Sequence, residues 1–427
     1  MTDTNRGVRK AFVLWLSGVR LADIRALAKI ESLVEDGALV ELDPSPITGP
    51  QAQRYQAFSG QLPAHFGFFD TLMPLCRLPR PQQGMNGYTV MEELAGRDTA
   101  PKMLPDLLRA AGWAVEYKET SPAGLPGCVG GLAQVAVDAT TATCKIVRCE
   151  LGVEGAEFSA YTTAITETIR LARSWVGETG LLAVLSDIQP APVDCFVNVN
   201  NFLAEMELIE RDEQSDLINW PNSLAYFAGH GQLWVNLLGR DPQGAVHPQD
   251  EYEEVCATLI KALPTKLRDS RTGAQVIERV YRKEELYSNE YLFCAPDLVI
   301  IFKPGYAPSP QSTRLGFDKV TFTVPAAGVT SMAGVHPSTV SGFLLATAPV
   351  LSPGAAALEH APLTAVVPSL LHALGIEYAG MDSPAVSALF SPSYLQSHPI
   401  RTHAASHELS EEDEELVINR LRDLGYV

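Results

Sequence analysis

Short apolar runs bounded by turn residues alternate with stretches of helical spacing along most of the chain, the pattern of a mainly parallel sheet covered by helices. Residues 11–16 (AFVLWL) open this sheet. Leu21, Ile24, Leu27, Ile30 and Val34 then recur at helical spacing, so a helix is expected over 21–34. A helix over 103–111 stops at Gly112, and 113–117 reads as a strand. Further strands are predicted at 145–149, 181–185, 196–199, 298–302 and 342–347, with helices at 157–176, 252–263 and 363–374. Between 220 and 283 the pattern changes. Residues 232–238 alternate, 239–244 (GRDPQG) form a turn, and 276–283 alternate again, which predicts a small antiparallel excursion. Residues 304–312 read as a loop. The tail, 410–425, reads as an acidic helix with Ser410 as N-cap and its glutamates in the first turns, where the helix dipole favours negative charge.

Composition narrows the function. Fifty acidic against 32 basic residues give a formal charge of −18, and a field of that sign repels phosphate backbones and anionic lipid, so neither nucleic acid nor a membrane surface is expected as a partner. No stretch approaches the ~20 apolar residues that a membrane-spanning helix requires. The polar start, 1–10, leads into an apolar run too short for a signal-peptide core, and the expected location is cytoplasmic. Seven cysteines, scattered without a Cys-x-x-Cys pair, read as small buried hydrophobes in a reducing compartment.

Candidate chemistry gathers where strands end. The run 181–187 (LLAVLSD) closes abruptly on Asp187, and a strand buried on both faces delivers its last residue to the crevice at the carboxyl edge of the sheet, where ligands bind. A tight loop, 45–50 (SPITGP), precedes a polar helix; Thr48 there is either an N-cap or a hydroxyl placed to act as a nucleophile near backbone amides. His336, in 334–337 (GVHP), precedes the strand at 342–347 and is either a structural histidine or a ligand.

These segments, in their order and with their flanks, resemble the type I phosphodiesterase and nucleotide pyrophosphatase branch of the alkaline phosphatase superfamily. Trp15-Leu16-Ser17-Gly18 is similar to the family's opening strand into Asp-Gly, Pro46-Ile47-Thr48 to its nucleophile loop, and 59–67 (SGQLPAHFG) to the Thr-Gly-x-x-Pro-x-x-His-Gly that follows. Ser186-Asp187-Ile188-Gln189 is similar to its Ser-Asp-His-Gly. The likeness continues through Trp220, 225–226, 234–237, 239–244, 252–254, 295–298, 334–336 and 421–426. It implies an α/β, alkaline-phosphatase-like fold: one catalytic-type domain over 8–427, a large mostly parallel sheet between helical layers, and a small antiparallel insertion near 220–290.

The family holds two divalent metals as a clamp on a phosphoryl group. Mapped onto this chain, the resemblance implies Thr48 as nucleophile, Asp187 and His336 as ligands of any metal that binds, and Ser17 and Glu154 as substrate-binding residues. Ser17 stands where the family has Asp, Ile188 where it has His, and Glu150 and Glu154 match its remaining Asp-x-x-x-His. A two-zinc centre is therefore not expected, because zinc needs three or four N, S or O donors and Ile188 offers none. A harder divalent ion held by Glu150, Glu154, Asp187 and water stays open. Three readings follow: a hydrolase with a remodelled site acting on a small molecule, a non-hydrolytic pseudoenzyme binding a small ligand or a partner protein, and a metal-independent enzyme acting on a small metabolite with His336 as acid or base.

Overall fold

The computed structural model describes residues 8–27, 31–43, 50–65, 67, 72–74, 88–90, 101–120, 141–150, 158–212, 217–241, 243–288, 292–312, 315–331, 335–336, 339–354 and 360–401. Its main sheet contains β1 (Ala11–Ser17), β2 (Ala38–Asp43), β3 (Val115–Thr120), β4 (Cys144–Glu150) and β5 (Leu181–Ile188). An antiparallel sheet follows, formed by β6 (Ala225–Phe227), β7 (Gln232–Val235), β8 (Ile277–Arg282) and β9 (Leu298–Phe302). The chain then returns to the main sheet with β10 (Ser341–Thr347) and β11 (His360–Pro362). The seven main strands lie in the order β11-β2-β10-β5-β1-β4-β3. All neighbours are parallel except where β10 runs antiparallel to β2 and β5.

The unbroken apolar runs have a direct cause. In a pleated strand alternate side chains face opposite sides, and both sides of the main sheet are covered. From β1, Ala11, Val13 and Trp15 enter a core shared with Ala57 and Phe58 of helix α1 (Pro50–Ser59). Phe12, Leu14 and Leu16 enter the opposite core, against helix α2 (Phe158–Val176). That helix presents Tyr161, Ile165, Ile169, Ala172 and Val176, an apolar stripe at helical spacing. The antiparallel sheet has its own core, in which Tyr226, Trp234, Ile277 and Phe302 pack on Val255, Leu259 and Leu263 of helix α3 (Asp250–Lys266). Helix α4 (Val366–Ala373) closes the α1 side of the main sheet.

The alternating runs at 232–238 and 276–283 do form antiparallel strands, and the helices expected at 157–176, 252–263 and 363–374 are present with small shifts at their ends. Four expectations need correction. Residues 298–302 belong to the antiparallel sheet, paired with β7 and β8, and Cys195–Val197 forms a separate small sheet with Tyr306–Pro308 and Phe322–Thr323. A strand buried on both faces is apolar whichever sheet it joins, so pattern alone could not allocate these two. The supposed loop at 304–312 therefore contains a strand. The helix expected over 21–34 is two short helices, Leu21–Arg25 and Glu31–Asp36. The acidic tail helix lies outside the described residues.

Candidate functional site

Three chain segments meet at the carboxyl edge of the main sheet. β1 ends at Ser17, and Gly18, with φ +86°, turns away while its N–H donates to the Ile188 carbonyl at the end of β5 (2.9 Å). β10 runs the other way, so its first residue, Ser341, pairs with Ile188. The antiparallel direction thus brings the segment before β10, with His336, to the edge where β1 and β5 finish. Gly342 is required there. A Cβ at that position would lie 2.2 Å from the Ser186 carbonyl oxygen, too close for any side chain.

The polar groups at this edge are buried and sparsely engaged. Ser17 is 4% exposed and its Oγ has no hydrogen-bond partner among the described residues. Asp187 is 1% exposed; its Oδ1 accepts the backbone N–H of Ile188 (3.1 Å). Ser186 Oγ donates to the Ile188 carbonyl (3.0 Å). Ile188 packs with Ala191 and Val340, and Val335 closes over this cluster. The residue after Asp187 therefore sits in an apolar pocket of its own.

His336 follows Val335 directly. Its carbonyl accepts the N–H (2.9 Å) and hydroxyl (2.6 Å) of Thr339, forming a turn before β10. Its Nε2 lies 3.0 Å from Oε2 of Glu278, on β8 of the other sheet. The pairing of β8 with β9 shifts register between Ile277 and Arg279, so Glu278 is the extra residue of a bulge, a device that re-aims a side chain out of the regular alternation. Sequence reasoning did not single out Glu278. The bulge that aims it leaves no mark in an alternating run.

Thr48 and Glu154 lie outside the described residues, as does the side chain of Glu150, whose backbone pairs with Ser17. Among the described residues no group of three or more His, Cys, Asp or Glu side chains is placed to hold a metal ion. No helix among them is long and apolar enough to cross a membrane.

The 59–67 segment has a structural role. Ser59 Oγ accepts the Gln61 N–H (3.1 Å), and the short helix Pro63–His65 places His65 Nε2 2.8 Å from Asp382 Oδ1. The other oxygen of Asp382 accepts the Leu62 N–H (2.5 Å), and Gln61 Nε2 donates to the Gly380 carbonyl (2.8 Å). These bonds fasten the end of α1, and hence the helix that follows the Thr48 loop, to residues 380–382.

The fold is α/β and alkaline-phosphatase-like. It is similar to murine ectonucleotide pyrophosphatase/phosphodiesterase 5 in an inactive form in complex with AMP, with a TM-score of 0.55 and 12% identity over 92% of this chain and 100% of that one. It is likewise similar to the human protein of that name, with a TM-score of 0.54 and 12% identity over 93% of this chain and 100% of that one. No family model and no curated protein sequence matches the chain. At this identity the likeness is one of fold.

Proposed function

We propose that this chain is a phosphodiesterase- and nucleotide-pyrophosphatase-like protein with a remodelled pocket, one that takes a small-molecule ligand or substrate at the carboxyl edge of the main sheet without a two-zinc centre. The observation that carries the reading is Ile188. It follows the buried Asp187, offers no donor atom, and packs among the apolar side chains of Ala191, Val340 and Val335, where a ligand of a metal ion would be needed. One oxygen of Asp187 is already engaged by the Ile188 N–H. The described donor set does not fit two zinc ions. What the pocket retains is a buried hydroxyl at Ser17, whose unsatisfied Oγ suits a polar ligand atom, and the carboxylate of Asp187. Thr48 and Glu154 complete the set expected to line it. An AMP-bound relative of the same fold supports a phosphorylated compound as the first class of ligand to try.

Elemental analysis after extensive dialysis should find fewer than two zinc ions per chain. Chromogenic phosphodiesters should be turned over weakly or not at all, since a threonine hydroxyl is a poor nucleophile at neutral pH without a base or metal to activate it. Two zinc ions per chain, with brisk turnover abolished by Thr48→Ala, would overturn the reading.

The contact between His336 and Glu278 favours a second reading, metal-independent acid–base chemistry on a small metabolite. A carboxylate 3.0 Å from Nε2 orients the imidazole, as acid–base histidines require. Turnover lost in His336→Ala, reduced in Glu278→Gln and spared in Thr48→Ala would put this reading first.

A further inference from the structure

A cleft of about 470 Å³ opens away from the carboxyl-edge residues, between the helix Val199–Glu205, the last turn of α3 and the segment leading into Phe322–Thr323. Lys266, Arg268 and Lys319 converge on it, with Phe202 and Phe322 in its walls. Glu205 is the one acid among its described lining residues, and it accepts the hydroxyl of Thr321 (2.8 Å). Lys266 and Lys319 make no ion pair or hydrogen bond among the described residues. Arg268 spends Nε on the Thr265 carbonyl (3.2 Å) and Nη1 on the Gly273 carbonyl (3.1 Å), which fixes its guanidinium without neutralising it.

Three cations against one carboxylate on one concave surface are the reverse of what a chain of charge −18 places by chance. The dipole of α3 accounts for Lys266, at the helix end, but not for Arg268 or Lys319. A concave wall with low-dielectric sides focuses such a field on a bound anion. A fixed guanidinium with two ammonium groups matches the oxygens of a phosphate, and the partly exposed ring of Phe322 offers surface to an organic body, with Phe202 buried beneath it. We propose that this cleft is a second site, separate from the pocket at the carboxyl edge, that binds a phosphate-bearing small molecule.

Isothermal titration of the full chain at low ionic strength, with inorganic phosphate and with phenyl phosphate, tests this. Saturable binding is expected, tighter for phenyl phosphate because of Phe322. Lys319→Glu and Lys266→Glu should each weaken it about tenfold or more, the scale of a lost charge-assisted hydrogen bond. Both side chains stand free, so unchanged melting temperatures should show that the variants fold. Lys303→Glu, which alters a lysine bonded to Gln275 outside the cleft, should leave binding intact. No saturable binding, or a loss in Lys303→Glu equal to that in Lys319→Glu, would overturn the proposal.

Discussion

Two buried polar regions of this protein are built on opposite terms. In the antiparallel sheet, Arg240 lies against two carboxylates, with Nη1 and Nη2 donating to Asp297 (2.7 and 2.8 Å) and Nε to Asp241 (3.1 Å). Nη2 also reaches the Val235 carbonyl. Asp297 accepts in addition the Val235 N–H (2.8 Å) and the Tyr252 hydroxyl (3.0 Å), with Lys283 3.5 Å away. Asp241 accepts the Leu237 N–H (2.7 Å) and the Tyr226 hydroxyl (3.3 Å). Every charge there is matched. At the carboxyl edge of the main sheet, Ser17 Oγ has no partner among the described residues and Asp187 holds one backbone N–H among them. The charges of the first region are spent on one another, whereas the edge leaves a buried hydroxyl unspent, as the proposed ligand pocket requires.

Breaking the matched network should have the largest effect. Asp297→Ala leaves Arg240 buried without its main counter-charge, and removal of one partner of a buried pair costs about 3–5 kcal/mol. Urea denaturation should show this as a large drop in midpoint. A loss below about 1 kcal/mol would mean the network is no stronger than a surface pair.

Acid titration should expose the same network next. Burial alone would push the Asp297 carboxyl up, but Arg240, Lys283 and the Val235 N–H outweigh it and hold it at about 2. The Arg271 guanidinium likewise holds Asp269 at about 2. A carboxylate whose folded pKa lies below its unfolded value of about 3.9 stabilises the fold above that value and loses the contribution as pH falls toward 2. Denaturant midpoints should therefore be steady from pH 6 to 5 and decline between about pH 4 and 2. In an Asp297→Asn, Asp269→Asn double variant that decline should be shallower.

The carboxyl edge should respond least. Ser17→Ala removes a buried hydroxyl that has no partner among the described residues, so stability should change by less than about 1 kcal/mol in either direction. A loss comparable to that of Asp297→Ala would erase the contrast between the two regions. Thiol labelling gives the smallest signal. Cys144, Cys149, Cys195 and Cys256 are free and buried, and burial pushes the Cys144 and Cys256 thiols up to about 12, so these four should react with a maleimide only on unfolding.

The chain's own pattern determined which segments are strands and helices over most of its described length, because burial on both faces leaves unbroken apolar runs and burial on one face leaves alternation or helical stripes. It also marked Asp187 as a strand-end carboxylate with the apolar Ile188 behind it, since a charged residue closing such a run has few places to go. Other features needed the third dimension. The turn expected at 239–244 gave no hint that Arg240 and Asp241 are buried, because their counter-charge, Asp297, is far away in sequence. The reversed direction of β10, which brings His336 to the edge shared by Ser17 and Asp187, is a matter of connection rather than composition. Glu278 meets His336 only because a bulge on one sheet faces a turn leading into the other. Local pattern reports whether a side chain is buried; which distant residue meets it there is decided by how the strands are ordered and directed, and only tertiary packing fixes that.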